Sequence, residues 1–274
     1  CATLFFTADY DQLPVSYLVC NFSPPVGDAP ALFTHDEVQT LFHEFGHGLH
    51  GLMTQIDYPT FSGVDGPRDY TEFPAQILEH YVSEPAMLEM YARHYETGEV
   101  IPTELVERLR LAANHNQGFA TTEYIAASLL DLRWHMLSSE EAAQITDARA
   151  FEMRVLEEYG LIPEIEPRYR SNYFAHIFSS STGYSSGYYA YLWSEILDAD
   201  GFTAFKETGD IFNPELAARL NPDTQWRLER RVGLRRRVLQ GGPVPEGPVL
   251  LLTQIKVPEK LQGDSFTFQA AARW

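Results

Sequence analysis

Apolar residues recur at helical spacing along most of the chain. The runs that follow this pattern cover about 34–52, 71–95, 102–117, 121–138, 140–159 and 186–199. Two short runs near the N-terminus, 2–7 and 15–22, are instead rich in β-branched and aromatic residues, which is typical of strands. The pattern therefore predicts a mainly α fold with a small β-sheet near the N-terminus.

The first helical pattern has a clear start signal. Thr34 is followed three residues later by Glu37, which is the spacing of a capping box. Beyond it, apolar residues repeat with the period of an amphipathic helix, so one side of the helix is available for the core. These residues are Val38, Leu41, Phe42, Phe45, Leu49 and Leu52.

The sequence His43-Glu44-Phe45-Gly46-His47 lies in the middle of this helix. Residues four apart on a helix are rotated by only about 40° from each other, so both histidines project from one face, one turn apart. Both imidazoles can then reach a single metal ion. A glutamate directly after the first histidine is the usual base in this spacing, because it deprotonates the attacking water without binding the metal. The motif predicts a zinc site with Glu44 as general base.

A catalytic zinc takes three protein ligands and keeps one position for water, so a third ligand is needed. His50 shares the face but lies about 10 Å along the helix axis from His43, too far for zinc–nitrogen bonds of about 2.0–2.1 Å. The extended metzincin motif is excluded, because it requires glycine and histidine where this chain has His50 and Met53. Glu72, near the start of the next helical pattern, is the predicted ligand. The alternative is that Glu72 binds no metal and lies in the first turn of its helix because the helix dipole favours a negative charge there.

Three tyrosines around the start of the last helical pattern, Tyr184, Tyr188 and Tyr191, are spaced as i, i+4 and i+7. They are predicted to share one helical face. Aromatic residues at this spacing are more often core than catalytic. Buried phenol hydroxyls need hydrogen-bond partners, however, and three of them beside a serine- and glycine-rich loop fit a polar cleft better than a dry core. Both interpretations stay open from the residues alone.

Composition limits the kinds of partner. The chain has 274 residues, 45% of them hydrophobic, and a formal net charge of −18. An acidic surface repels nucleic acid and anionic membranes, so we expect neither as a partner. No apolar run approaches the roughly 18 residues that span a bilayer, so we expect a soluble protein. The two cysteines, Cys1 and Cys20, are too few for a disulfide framework and are expected to be reduced thiols.

The charge changes along the chain. Residues 1–212 carry 10 Lys and Arg against 32 Asp and Glu, whereas residues 213–274 carry 10 against 6. Residues 213–274 also contain an arginine-rich run and several prolines. We interpret them as an atypical basic C-terminal segment. A foreign or frame-shifted C-terminus is the leading explanation, and a divergent closing segment is the alternative.

Three motifs, in this order, resemble those of the thimet oligopeptidase family of zinc metallopeptidases. They are residues 43–47, Glu72 in the sequence Glu-Phe-Pro-Ala-Gln, and residues 184–193. Glu79-His80 and residues 169–178 are more similar to the peptidyl-dipeptidase (dipeptidyl carboxypeptidase) branch. The resemblance covers about 14–212. It implies a zincin-like catalytic domain over residues 1–212, shortened at its N-terminus relative to the family.

The resemblance also implies which residues act. One zinc ion is held by the two histidines of the motif and Glu72, and the glutamate of the motif is the base. Tyr184, His176 and Tyr191 stabilise the oxyanion or hold the scissile peptide, and Tyr188 is assigned to substrate binding. These roles come from the family and not from the spacing.

The implied reaction is zinc-dependent hydrolysis of peptide bonds in short peptides, with release of C-terminal dipeptides. One alternative is an endo-acting oligopeptidase of the same family. Another is an inactive zinc-binding fragment that lacks the N-terminal half of the cleft. We expect a monomer in the cytoplasm, with the periplasm as the alternative compartment.

Overall fold

The structure is a computed structural model that describes residues 15–28, 30–53, 63–180, 183–220 and 271–272. Over these residues the chain is mainly helical, as predicted. The helices are α1 (His35–Leu52), α2 (Arg68–Thr71), α3 (Phe73–Val82), α4 (Pro85–Tyr91), α5 (Thr103–Ala113), α6 (Gln117–His135), α7 (Ser139–Gln144), α8 (Ala148–Glu158), α9 (Ala175–Phe178), α10 (Ala190–Glu207) and α11 (Pro214–Arg219). Two short strands, β1 (Arg93–His94) and β2 (Ala271–Ala272), pair in parallel. Within the described ranges, no helix is long and apolar enough to cross a membrane.

The capping box at the start of α1 is confirmed. The side chain of Thr34 accepts a hydrogen bond from the amide of Glu37, and the carboxylate of Glu37 accepts from the amide of Thr34 at 2.7 Å. Glu37 also accepts from the amide and hydroxyl of Ser23, at 2.8 and 2.9 Å. Hydrogen bonds from the amides of Thr34 and Ser23 lower the pKa of Glu37 to about 2. Helix α1, which carries the two histidines of the motif, therefore has a well-defined first turn.

Two predicted helical patterns are each split into two helices. Within 71–95, α3 and α4 are separated before Pro85, because the residue before a proline avoids helical backbone and Glu84 is extended at ψ 137°. Within 140–159, α7 and α8 are separated before Asp147, whose carboxylate caps the first amides of α8. In both places a local stop or start signal outweighs the apolar period.

The predicted N-terminal sheet is not confirmed. Residues 15–22 are described and form no strand, while 2–7 lie outside the described residues. Exposed and half-buried side chains do alternate from Val15 onward, as in a strand. The inward side of this segment faces α1, however, since a Cβ built on Gly48 would lie 3.3 Å from the hydroxyl of Ser16. Alternation alone predicts an extended backbone, and a strand additionally requires a hydrogen-bonded neighbour.

Helices α1 and α3 approach each other closely at Gly46, which lies between the two histidines of the predicted zinc motif. A Cβ atom built on Gly46 would lie 2.5 Å from the Cα of Ala75 and 2.8 Å from the carbonyl carbon of Pro74. Both distances are far inside van der Waals contact, so only a residue without a Cβ fits. The close approach brings the histidines of α1 near the residue that precedes α3.

We expect Gly46→Ala to destabilise the fold and to weaken metal binding. The atoms that the new methyl group meets are backbone atoms, so the two helices must separate, at a cost of about 1–3 kcal/mol or more. Gly118→Ala on α6 is the matched control, because a Cβ there meets no atom within 4 Å and alanine favours helix. Thermal unfolding and zinc titration of both variants test this. A Gly46→Ala protein with unchanged melting temperature and zinc affinity would contradict it.

The chain divides into two compact units. Unit 1 takes the residues up to Val106 and from Ser194 onward, and unit 2 is Glu107–Trp193. An apolar core of unit 1 contains Tyr70, Phe73, Ile77, Tyr81, Met87 and Phe202. Unit 2 contains two apolar clusters, Ala127, Phe174, Ile177 and Tyr188 in one and Leu130, Phe151 and Val155 in the other.

Candidate active site

Unit 1 brings together three residues that can hold a metal ion. His43 and His47 lie one turn apart on α1, and Glu72 lies at the junction of α2 and α3. The Nε2 atoms of His43 and His47 lie 3.3 and 3.2 Å from Oε2 of Glu72. One donor atom from each residue lies within 4.8 Å of the other two. We call His43, His47 and Glu72 the donor group.

The spacing of the donor group suits a zinc ion. Ligands at the corners of a tetrahedron with bonds of about 2.0–2.1 Å are separated by about 3.3–3.4 Å. The distances from the Glu72 carboxylate to the two imidazoles, 3.2 and 3.3 Å, are close to this value. Two imidazole nitrogens and one carboxylate oxygen are also the ligand set of many catalytic zinc sites, which keep a fourth position for water. The residues present therefore fit a catalytic zinc ion.

Glu72 is buried, with 1% of its surface exposed. Its carbonyl oxygen accepts from the amides of Ala75 and Gln76, so the residue is fixed in the first turn of α3. A glutamate that served only the helix dipole would keep its carboxylate in water. Because an ionised carboxylate is costly to bury without a partner cation or hydrogen bonds, the position of Glu72 beside two imidazoles favours its interpretation as a ligand.

A second carboxylate, Glu79, orients one of the histidines. Nδ1 of His43 lies 2.6 Å from Oε1 of Glu79, and Gln39 donates to the other carboxylate oxygen at 2.5 Å. A hydrogen bond at Nδ1 directs Nε2 towards the metal and makes it more basic. Burial lowers the pKa of His43, but hydrogen bonds to Glu72 and Glu79 outweigh burial and raise the pKa to about 10. The two carboxylates therefore make this position favourable for a cation.

Glu44, the predicted base, follows the first histidine directly on α1. Its Oε2 atom is buried and accepts no hydrogen bond from the part of the chain that the structure describes. Buried acceptors of this kind are usually satisfied by an ordered water molecule. Glu44 directly follows a member of the donor group on α1, and its buried oxygen has an unused acceptor position, which is compatible with the general base that the motif predicts.

His50 does not belong to the donor group. Its ring is buried and lies edge-on to the ring of Tyr70, with 6.0 Å between the centroids. Burial, and to a smaller extent the charge of His47, lower the pKa of His50 to about 4. It is a neutral core residue one turn beyond His47, which agrees with its exclusion on axial distance.

Unit 2 brings together the other four predicted site residues. The rings of Tyr184 and Tyr191 stack, with 5.3 Å between centroids and 14° between planes. The ring of His176 lies 5.8 Å from that of Tyr184, and Tyr188 lies 5.4 Å from His176 and 5.3 Å from Tyr191. Three phenol rings and one imidazole therefore form a single cluster, which we call the tyrosine cluster.

The members of the tyrosine cluster differ in burial. Tyr188 is 2% exposed and packs against Phe174, with 4.8 Å between ring centroids. Burial raises its pKa, so it stays a neutral phenol. Tyr184, Tyr191 and His176 are partly exposed. The three residues predicted to stabilise the oxyanion or hold the scissile peptide are thus partly accessible, whereas the ring of Tyr188, which is predicted to bind substrate, forms part of a core.

The helical face predicted for the three tyrosines is wrong. The apolar pattern predicts a helix from about residue 186, but α10 begins at Ala190, and residues 184–189 form a bend followed by a turn. We call residues 184–189 the tyrosine turn. The amide of Tyr184 donates to the carbonyl of His176 at 3.0 Å, and Ser186 has a left-handed φ of 56°. The rings meet because this turn folds back, not because they share a helix.

Comparison with known proteins connects both groups of residues with one peptidase family. A sequence profile described as Peptidase family M3 matches residues 2–222, a range that includes the donor group and the tyrosine cluster. The chain belongs to peptidase family M3. In this M3 chain, the matched range ends at residue 222, ten residues after the predicted end of the catalytic domain at residue 212. The domain boundary at residue 212 stays a prediction.

Several curated proteins are similar to this M3 chain. The dipeptidyl carboxypeptidase of Escherichia coli (strain K12) is 46% identical over 226 residues, which is 80% of this chain and 33% of that protein. The dipeptidyl carboxypeptidase of Salmonella typhimurium is 50% identical over 199 residues, or 72% of this chain and 29% of that protein. Oligopeptidase A of Escherichia coli (strain K12) is 43% identical over 206 residues, which is 74% of this chain and 29% of that protein. The chain therefore spans a third or less of the length of these relatives.

Two residues that shape the site, Glu79 and Gly46, have no assigned role in the sequence-based prediction. Glu79 lies seven residues after Glu72, so two helical turns place both carboxylates on one face of α3. That spacing is a signal from which Glu79 could have been identified as the partner of a histidine. The requirement for glycine at position 46 has no comparable signal, because it depends on which backbone segment lies opposite.

Proposed function

We propose that this chain carries the zinc-binding and catalytic residues of a peptidase that hydrolyses peptide bonds in short peptides. The observation that carries the proposal is the donor group, with a glutamate directly after its first histidine. In metalloproteases with this motif, the two histidines four apart on a helix bind zinc, and the glutamate after the first histidine is the general base. Membership of family M3 supports the same reaction.

The residues of unit 1 divide the chemistry between them. His43, His47 and Glu72 would hold one zinc ion, and Glu79 would fix the orientation of His43. Bound zinc supplies Lewis-acid activation, lowering the pKa of a water molecule from 15.7 towards about 7. Glu44 accepts a proton from the attacking water as its oxygen adds to the carbonyl carbon of the peptide. The same carboxyl group then gives this proton to the amine nitrogen as the carbon–nitrogen bond breaks, which restores the carboxylate.

During the reaction, negative charge develops on the carbonyl oxygen of the peptide, and residues of the tyrosine cluster can stabilise it. We propose that Tyr191, Tyr184 and His176 stabilise this oxyanion or hold the scissile peptide, because phenol and imidazole groups can donate hydrogen bonds. The stacking of Tyr184 on Tyr191 and their partial exposure support the proposal. The assignment of Tyr188 to substrate binding depends on the family resemblance alone.

Tyr191→Phe tests the catalytic role that is proposed for Tyr191. If the hydroxyl donates to charge that develops only in the transition state, the variant should lose about 10²–10³ in kcat, or about 3–4 kcal/mol, with little change in KM and zinc content. If the hydroxyl serves only packing, the variant should lose about 0.5–1.5 kcal/mol of stability and keep its kcat. Single-turnover rates and melting temperature on one preparation separate the two. A destabilised but fully active Tyr191→Phe protein would remove Tyr191 from the site.

We further propose that dipeptides are released from the C-terminus of the substrate. Two dipeptidyl carboxypeptidases are 46% and 50% identical to this chain, whereas the oligopeptidase A relatives are 36–43% identical. An endo-acting oligopeptidase of the same family is the alternative. Short peptides are the proposed partners, while the cytoplasmic location and the monomeric state stay predictions.

Blocking the substrate's C-terminus distinguishes the two modes. A peptide with a free carboxylate should lose a C-terminal dipeptide, and the same peptide as its C-terminal amide should not be cleaved. Mass spectrometry of the products gives the cleavage position directly. Internal cleavage of both peptides at the same bond would replace dipeptide release with the endo-acting alternative.

A further inference from the structure

The tyrosine turn is held by side chains of α6. Tyr124 and Asp131 are seven residues apart on α6, so they lie two turns apart on one face of that helix. Both make hydrogen bonds to the backbone of residues 186–192. Helix α6 therefore contacts the turn at its centre and at the beginning of α10.

Asp131 accepts hydrogen bonds from two amides of the turn. Its side chain is 0% exposed. Oδ1 accepts from the amide of Ser186 and Oδ2 from the amide of Tyr188, both at 2.9 Å. His135 lies 2.8 Å from the same Oδ1 atom. A carboxylate that uses each oxygen for a different amide fixes the direction of both N–H groups.

The conformation that Asp131 holds is one that the local sequence disfavours. Ser186 has φ 56°, a left-handed value that is uncommon for a residue with a Cβ atom. Without a partner, the amides of Ser186 and Tyr188 could instead extend α10 towards the N-terminus, as the apolar spacing predicts. The buried carboxylate of Asp131 stabilises the turn relative to that helix.

Tyr124 connects the turn to α10. Its hydroxyl donates to the carbonyl of Tyr188 at 2.5 Å and accepts from the amide of Leu192 at 3.0 Å. Its ring packs against the rings of Tyr188 and Tyr191, with centroid distances of 5.3 and 6.4 Å. One side chain therefore fixes the backbone between these two tyrosines and supports both rings.

We propose that Asp131 and Tyr124 are positioning residues, which set the mutual arrangement of Tyr184, Tyr188 and Tyr191 through the backbone that joins them. The expected effect on kcat rests on the proposed function of the tyrosines, whereas the expected effect on the conformation of the turn does not. Buried hydrogen bonds of this kind also stabilise a fold, so a lower melting temperature alone does not distinguish the two roles.

Asp131→Asn is the informative variant. Asparagine has nearly the same shape but only one acceptor oxygen, so one of the two amides loses its partner and faces an NH₂ group instead. Val155→Ala is the matched control, because Val155 is fully buried in another core cluster of unit 2 and its truncation destabilises without touching the turn. We expect amide hydrogen exchange in residues 183–192 to rise about tenfold or more in Asp131→Asn and to stay near the wild-type rate in Val155→Ala.

Kinetics link the turn to catalysis. Asp131→Asn should lower kcat by about tenfold or more while KM and zinc content stay near wild type, because the metal ligands are untouched. In a Tyr191→Phe background the same substitution should have a much smaller effect on kcat, since a positioning residue acts through the group that it positions. Ser186→Gly, which accommodates the left-handed φ, should partly restore both the exchange protection and the kcat of Asp131→Asn.

The outcomes separate this proposal from the proposed function. If Asp131→Asn exchanges and reacts like Val155→Ala, the positioning role is wrong, even if Tyr191→Phe is slow. If Tyr191→Phe is fully active, the catalytic role of Tyr191 is wrong, while hydrogen exchange still decides whether Asp131 holds the turn. Should Asp131→Asn fail to fold, Tyr124→Phe removes only the hydroxyl, and unchanged exchange in residues 186–192 of that variant would overturn the proposal.

Discussion

Glu72→Ala should lose tightly bound zinc. The substitution removes the one carboxylate of the donor group and leaves two imidazoles, one ligand short of a catalytic zinc site. Removing an outer partner of a zinc ligand already costs about 10–100-fold in affinity, so removal of a ligand itself should cost more. Competition with a chelator of known affinity measures the change, and peptide hydrolysis should disappear together with the metal.

The control for Glu72→Ala is Glu152→Ala. Glu152 is also a buried glutamate, but its carboxylate accepts from the amide and hydroxyl of Ser171 in unit 2 and has no place in the donor group. Both variants should lose stability, because each removes the hydrogen-bonding partner of buried polar groups. Only Glu72→Ala should lose zinc. One tightly held zinc ion per chain in folded Glu72→Ala would identify another third ligand.

Glu44→Gln should keep zinc and lose turnover. Glutamine has the size of glutamate but cannot accept the proton of the attacking water, so kcat should fall by about 10² or more, which is about 3 kcal/mol or more in activation free energy. Zinc affinity should stay close to wild type, because Glu44 is not a member of the donor group. Rates are compared with zinc content measured on the same samples.

Glu89→Gln provides the control for the charge change. Glu89 is an exposed glutamate on α4, so its neutralisation alters the net charge by the same amount without touching the donor group. It should leave both zinc content and turnover unchanged. Near-normal turnover in fully metal-loaded Glu44→Gln would show that another group accepts the proton.

The parts of the site that local sequence determines could be predicted from it. Thr34 and Glu37 define the start of α1 because a capping box involves residues three apart. The four-residue spacing of His43 and His47 fixes their common face for the same reason, since it depends only on helix geometry. Glu72 could be proposed as a ligand from its place in the following helix, although only the folded structure shows its carboxylate beside the imidazoles.

The parts that depend on long-range contacts could not be predicted. Residues 15–22 have the composition of a strand, but the segment lies against α1 and forms no strand. The apolar spacing after residue 186 predicts helix, whereas Asp131, 55 residues earlier in the chain, holds the amide of Ser186 in a turn. A pattern read along the chain contains no information about which buried side chain will lie opposite it. The same limit applies to Gly46 and the backbone of α3.

Metal analysis of the purified chain, followed by mass spectrometry of its products from a mixed library of unblocked peptides, tests the central claim most directly. We predict one zinc ion per chain and products shortened by C-terminal dipeptides, with both zinc and products lost after chelation and regained when zinc is restored. Because the chain spans a third or less of the length of its relatives, zinc binding and turnover are measured separately. A chain that binds one zinc ion and cleaves no peptide would contradict the proposed peptidase activity, and a chain that cleaves peptides equally well without zinc would contradict the mechanism.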